Sequence, residues 1–198
     1  MATRARYHHG DLRAALVDAA LALIAEQGVD ALSVAEAARR TGVSAAAPYR
    51  HFPTRLDLLK ATATRAAELL AAELTEAIDR TDDPREKLAE TARVYVRFVV
   101  RHHAGLDLIF DERLRVGDQA LAEAGRAVMD VLLPIAFDVT GDAHAALDLL
   151  EKHIVAAHGY AVLHLSGFLH RRAPDVEDIA ERAAEVSRTL ATGGGRSG

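Results

Sequence analysis

The chain has 198 residues, half of them apolar, with 24 Lys and Arg against 29 Asp and Glu for a formal net charge of −5. That is enough apolar material for a core in one domain or in a small domain joined to a larger one, and the absence of cysteine excludes a disulfide framework and thiolate chemistry. No apolar run reaches the roughly 18 residues of a membrane helix and no basic start leads into an apolar stretch, so the expected location is the cytoplasm, with no membrane partner.

All predicted elements are helices, because Ala, Leu, Glu and Arg dominate and no β-branched run alternates with polar residues. Leu12, Leu16, Ala19 and Leu23 mark one face of a first helix that stops near Gly28. Ser33-Val34-Ala35-Glu36 has the pattern of a capping box, with Glu36 reaching back to the Ser33 N–H, and its helix ends at Thr41-Gly42. Ser44 is the expected cap of the next, short helix. Thr54 opens a long helix from Arg55 to about Asp79, with Asp57 in its first turn. Asp83-Pro84-Arg85-Glu86 starts a helix to about His102. Gly105 to Arg113 reads as one short helix, and Asp118 to Phe137 as the next, with Pro134 expected to kink or end it. Asp142 caps a helix from Ala143 to about Arg171. Pro174-Asp175 opens the last one, striped by Val176, Ile179, Ala180, Ala183, Val186 and Leu190. The fold class is therefore all-α, with about nine helices.

Charge is unevenly spread. Residues 1–60 carry eight basic and six acidic side chains, a balance of +2, and the remainder carries −7. A basic head on an acidic body fits a protein in which only the head meets phosphate. Within the head, Ser33 to Phe52 reads as two short helices around a glycine turn, the pattern of a helix-turn-helix. In that motif the second helix enters the DNA major groove. Ala45, Ala46 and Ala47 let a backbone come close, and their methyls suit a thymine methyl. Ser44 and the free N–H groups beside it suit a phosphate. Tyr49, Arg50, His51, Thr54 and Arg55 are donors for phosphate oxygens. Pro48 falls at the fourth helical position, where it removes one backbone donor and crowds the Ser44 carbonyl.

The stretch Ala15 to Ala63 resembles the DNA-binding domain of the TetR/AcrR family of bacterial transcription regulators. The matching features run in order: Glu26-Gln27-Gly28, Leu32-Ser33-Val34 with Ala37, Thr41-Gly42-Val43-Ser44, Tyr49-Arg50-His51-Phe52, and Pro53-Thr54-Arg55 with Leu58-Leu59. Further on, His158-Gly159 and Gly167 within His153 to Leu169 are similar to a branch of the family with a His-Gly-containing (WHG-like) C-terminal domain, Ile154 standing where that branch has Trp. Val94 to Phe110 fits the same branch. The resemblance implies a basic arm over residues 1–9, flexible and contributing Arg6, and a three-helix DNA-binding domain over 10–60 with its helix-turn-helix at about 33–52. It implies a larger ligand-binding and dimerisation domain over 61–191, followed by a flexible tail over 192–198. Ser33 joins the DNA-binding set. The implied partners are double-stranded DNA with a palindromic operator, a second copy of the chain, and a small-molecule effector of unknown identity. The implied function is a repressor released from DNA by that effector. The alternatives are an activator or ligand-independent regulator of the same fold, or a small-molecule-binding dimer that no longer binds DNA.

Small residues Ala156, Ala157, Gly159 and Ala161 suit close packing, so the helix from Ala143 and the last helix are expected to pair with their copies. Pocket candidates are Phe98, His102, Phe110, Met129, Phe137, His158, Tyr160 and His164, a mostly apolar set with a few polar groups. The ten histidines do not carry metal-ligand spacing: His153, His158, His164 and His170 are five or six residues apart, and His8-His9 and His102-His103 are adjacent. Without a nucleophile elbow or phosphate loop the chain is not expected to be an enzyme or to need a cofactor.

Overall fold

The computed structural model describes residues 9–170 and 175–193. Among these the chain is helical and has no strand: α1 (His9–Gln27), α2 (Val34–Thr41), α3 (Arg55–Ile78), α4 (Pro84–His102), α5 (Leu106–Ile109), α6 (Glu112–Arg115), α7 (Gln119–Thr140), α8 (Ala143–Leu165) and α9 (Val176–Gly193). Short 3-10 turns stand at Val29–Ala31 and Pro48–Arg50. None of these helices is long and apolar enough to cross a membrane. Residues 1–8, with Arg6, lie outside the described residues, as do residues 171–174 and 194–198. His9, counted with the arm from sequence, is the first residue of α1, and Thr192 and Gly193 belong to α9 instead of the tail.

The helix starts follow their caps. Thr54 and Asp57 form a reciprocal box at α3, the Asp57 N–H donating to the Thr54 hydroxyl oxygen at 3.1 Å and the Thr54 N–H to the Asp57 carboxylate at 2.9 Å. Asp83, Asp118 and Asp142 cap α4, α7 and α8 in the same one-sided way, each accepting an N–H two or three residues on. At α2 only half of the expected box forms. Ser33 accepts the Glu36 N–H at 3.1 Å, but the Glu36 carboxylate turns to Arg39 and Arg40, whose guanidinium groups offer stronger, charge-assisted bonds.

Three other expectations are corrected. The segment Gly105–Arg113 is two helical turns, because the Asp111 side chain takes the Arg113 N–H at 2.8 Å and restarts the chain as α6. Helix α7 runs through Pro134 to Thr140 and stops only at Gly141, whose φ is 70°. Pro134 lies on its exposed face, and Leu132, Ile135 and Ala136 on the inner face hold the helix against the core. Helix α8 ends at Leu165, short of Arg171. There Gly167 takes a φ of 80°, its N–H bonding to the His164 carbonyl and that of Phe168 to the Leu163 carbonyl. These two bonds satisfy the last carbonyls and close the helix.

One apolar core runs the length of the described chain, from Leu16, Leu23 and Phe52 through Leu58, Leu70 and Leu74 of α3 to Val96, Phe98, Leu121 and Leu132. Helix α9 lies along α4. Its inner face is small, with Ile179, Ala180, Ala183 and Ala184 all buried, so the two helices approach closely. A row of ion pairs stitches them: Arg93 to Glu181 at 2.7 Å, Arg188 to Glu86 at 2.7 Å, and Arg97 to Glu177, with Glu181 also held at 2.9 Å by Arg188 of its own helix. The two guanidinium groups hold the Glu181 carboxyl at about 2, well below the usual carboxylate range.

Because Pro134 interrupts a helix that continues past it, Pro134→Ala restores a backbone donor where the helix already runs. Thermal or denaturant unfolding should show a gain of about 1–3 kcal/mol, within the helix-interior penalty of proline.

Candidate functional site

The segment between Gly42 and α3 is where sequence and structure diverge most. Gly42 takes a φ of 69°, and the Gly42 and Val43 N–H groups close α2 on the carbonyls of Arg39 and Ala38. The second helix of the pair does not then start at Ser44. Ala47 donates to the Ser44 carbonyl at 3.0 Å, and a 3-10 turn follows at Pro48–Arg50, with no side-chain cap. Pro48 supplies the reason. Its missing N–H is the one that would bond to the Ser44 carbonyl in an α-helix, so that carbonyl turns one residue back and the turn tightens. The expected Ser44 cap is thereby replaced.

Burial then sorts the residues. Pro48 is buried and Phe52 is 2% exposed, so they pin the turn to the core at two points. Between them Tyr49 and Arg50 face outward, Tyr49 half exposed. Ser44, Ala45 and Ala46 are exposed, Ala47 and His51 half-buried. The N–H groups of Ser44, Ala45 and Ala46 have no backbone acceptor among the described residues. An exposed cluster of free N–H groups beside a tyrosine and an arginine is an anion-binding arrangement.

Other expected contacts are held by internal bonds. The Arg55 guanidinium donates to the carbonyls of Leu32 at 2.8 Å and Val29 at 2.6 Å. It therefore ties the start of α3 to the turn before α2. The Thr54 hydroxyl donates to Asp57 at 2.7 Å, and the Ser33 hydroxyl caps α2. Arg40 grips Glu26 of α1 at 2.8 and 2.6 Å, and Arg39 pairs with Glu36, which keeps both carboxyls below their ordinary range. A cation that sequence reasoning passed over is Arg13, whose guanidinium lies 5.2 Å from the centre of the Phe52 ring beside His51. It sits on a groove of about 680 Å³ that His51, Lys60, Arg65 and Asp118 also line. The Leu12 and Leu16 stripe places residue 13 on the outer side of α1, the signal that would have found it.

In the C-terminal half the eight pocket candidates do not converge. Phe98 is fully buried, its ring 4.6 Å from His102, and burial pushes the His102 imidazole down. Phe110 packs over Gly125, where a Cβ would stand 3.5 Å from the ring. Phe137 is half exposed on an outer groove between α7 and α8, and Tyr160 lines another between α8 and α9. His164 is buried near His170, its Nδ1 without a hydrogen-bond partner. Met129 packs against the core. His158 alone borders the interior chamber, through a 2.8 Å bond between its Nδ1 and the Tyr95 hydroxyl. That chamber lies between α3, α4, α7 and α8, walled by Leu70, Leu74, Tyr95, Val128 and Leu132, with Thr91 and His153 as its polar members. His153 was passed over because its spacing from other histidines suggests no site. Its partners, Thr91 and Ser187, are 62 and 34 residues away.

Comparison with known proteins agrees with this layout. Residues 16–62 match the model of bacterial regulatory proteins of the tetR family, and residues 88–186 match the tetracyclin repressor-like C-terminal domain. The chain belongs to the TetR/AcrR family of transcriptional regulators. A structure from Rhodococcus sp. RHA1, of a protein with unknown function, is 31% identical with a TM-score of 0.76, covering 94% of this chain and 98% of that one. A tetR-family transcriptional regulator from Streptomyces coelicolor is 27% identical with a TM-score of 0.66, covering 93% and 79%. Among curated relatives, the transcriptional activator FasR of Mycolicibacterium smegmatis is 28% identical over 60% of this chain and 54% of its own length. The regulator BetI of Rhizobium meliloti is 38% identical over 43% and 42%. The chain thus spans about half the length of the curated relatives it matches.

Two outcomes follow. Arg55→Ala frees two carbonyls and loosens the reader from α3, costing about 1 kcal/mol at this exposed position, measurable by denaturant unfolding. His153 is 2% exposed, and burial lowers its value from 6.5 to about 4. Between those values the unfolded chain binds a proton that the folded one does not, so stability rises with pH across that window. It should fall by about 3 kcal/mol on acidification from pH 6.5 to 4, and His153→Leu should flatten that limb in a pH series of unfolding curves.

Proposed function

We propose that this regulator is a homodimeric, cytoplasmic repressor that reads a palindromic operator and is released from it by a small molecule. The observation that carries the DNA-reading assignment is the alternation Pro48 in, Tyr49 and Arg50 out, Phe52 in, next to the free N–H groups of Ser44 to Ala46. It presents a bare backbone and two donors on one face, the combination that holds phosphate while a small front surface enters the major groove. On this reading Tyr49, Arg50 and His51 contact the DNA backbone, and Thr54 and Arg55 position the turn.

A reader this short covers few base pairs, which favours two copies spaced about one turn of DNA apart. The outer face of α8 supports the pairing. Val155, Val162 and Leu163 are exposed there, and a Cβ on Gly159 would meet nothing within 4 Å. Effector release runs through α3. Leu70 and Leu74 of that helix wall the chamber, and its first residue, Arg55, grips the reader. A molecule that binds better when α3 is displaced lowers operator affinity by the same factor. The second reading is an activator of the same fold, since FasR carries that name. A reporter fused to the target promoter in a deletion strain separates the two.

Fluorescence anisotropy with DNA from upstream of the chain's own gene, at several salt concentrations, tests DNA reading. Sequence-specific binding over a scrambled duplex, with affinity falling steeply in salt, is the expected result. Arg50→Ala and Tyr49→Ala should each weaken it by about 1–2 kcal/mol, and Arg50→Ala should also reduce the salt slope by about one. Unchanged affinity in both variants would remove this placement of the reader.

A further inference from the structure

The interior chamber has an unusual polar wall. His153 sits between two hydroxyls, its Nδ1 2.9 Å from Ser187 Oγ and its Nε2 3.3 Å from Thr91 Oγ. Each hydroxyl has one proton to give. That of Ser187 goes to the Ala183 carbonyl at 3.0 Å, and that of Thr91 to the Leu88 carbonyl at 2.8 Å. Both oxygens therefore turn lone pairs toward the imidazole. A neutral ring has a single N–H, and either tautomer fits these distances; on Nδ1 it is donated to Ser187, at the shorter of the two. In that tautomer Nε2 is an acceptor whose hydroxyl neighbour, Thr91 at 3.3 Å, already gives its proton to the Leu88 carbonyl, and His153 lines the apolar chamber.

No Lys, Arg, Asp or Glu lines this chamber. Arg93, on the same helix as Thr91, is taken up by Glu86, Glu90 and Glu181 on the side facing α9. A carboxylate or ammonium in the chamber would have no counter-charge, and burying one unpaired is prohibitive. The rest of the lining is Leu, Val, Ile and Ala, with the Tyr95 hydroxyl engaged by His158.

We propose that the chamber takes an uncharged, largely apolar molecule bearing one hydroxyl, an alcohol or phenol, and that this hydroxyl donates its proton to Nε2 of His153. The assignment rests on reading the C-terminal half as the effector-binding part. It adds the chemistry that selects the effector: His153 accepts, the leucines and valines take the hydrocarbon, and the missing counter-charge rejects acids and amines. The space enclosed is about 10 Å³, the room of one water molecule. An occupant of any size must therefore part the helices, and Leu70 and Leu74 put α3 among those it pushes.

The test uses three probes of one shape, 2-naphthol, naphthalene and 2-naphthoate, with the full-length protein at neutral pH. The expected result is thermal stabilisation by 2-naphthol at roughly tenfold lower concentration than by naphthalene, the effect of about one buried hydrogen bond, and none by 2-naphthoate. Long-range nitrogen-15 NMR of His153 should show the proton on Nδ1, and its Nε2 resonance should move as 2-naphthol binds. His153→Leu should bind 2-naphthol and naphthalene alike. Should that variant not fold, Thr91→Val keeps the bare nitrogen and should retain the preference for 2-naphthol. Equal binding of the first two probes to the wild-type protein, stabilisation by 2-naphthoate, no binding by any of them, or a proton on Nε2 would each overturn the proposal. If 2-naphthol binds as expected while operator affinity stays unchanged, the chemistry of the chamber stands and its role in releasing DNA falls.

Discussion

The molecule is organised around the continuity of α3. Its 24 residues leave the reader at Arg55 and reach Ile78 deep in the C-terminal half, burying Leu58, Leu59 and Ala63 on one side of that passage and Leu70, Leu74 and Ala77 on the other. A helix this long carries its backbone hydrogen bonds along its whole length, so its two ends belong to one continuous element. The reciprocal bonds of Thr54 and Asp57 fix where the rod begins, and Arg55 fastens that end to the carbonyls of Val29 and Leu32. Leu70 and Leu74 beside the chamber and Arg55 beside the Val29–Leu32 turn therefore stand on one helix.

Much of this was legible in the sequence for a local reason. Caps are decided within four residues, so the starts at Thr54, Asp83, Asp118 and Asp142 could be read directly. Glycine closures at Gly28 and Gly42 were legible for the same reason, since each takes a positive φ. Failures arose where a side chain had two local partners or where burial far along the chain decided the outcome. Glu36 had both an N–H and two arginines within reach, Asp111 competed with its own helix, and α7 survived Pro134 because its other face was already buried.

The reader shows the same division. The order of motifs identified the family, but the shape of the turn depended on one missing N–H at Pro48, and the role of Arg55 on carbonyls 23 and 26 residues away. In the C-terminal half, aromatic and histidine content was a poor guide, because a helix turns such residues toward core, groove and surface in equal measure. The chamber is defined by which four helices meet, and its polar wall by Thr91, His153 and Ser187, three residues widely separated in sequence. Nothing local marks them.

The bond from Arg55 to Val29 and Leu32 also bears on where one unit ends and the next begins. Residues 16–62 match the family's N-terminal model and 88–186 its C-terminal one, and the first match ends inside α3. A fragment cut before Arg55 would contain Tyr49, Arg50 and the exposed segment Ser44 to Ala46 and yet lack the guanidinium that bonds to the turn before α2. A fragment cut at residue 62 would keep Arg55 but lose Leu70, Leu74 and Ala77, the buried residues of the second half of α3. The chain that leaves the first matched segment is a single helical element, and its first residue, Arg55, bonds back to Val29 and Leu32.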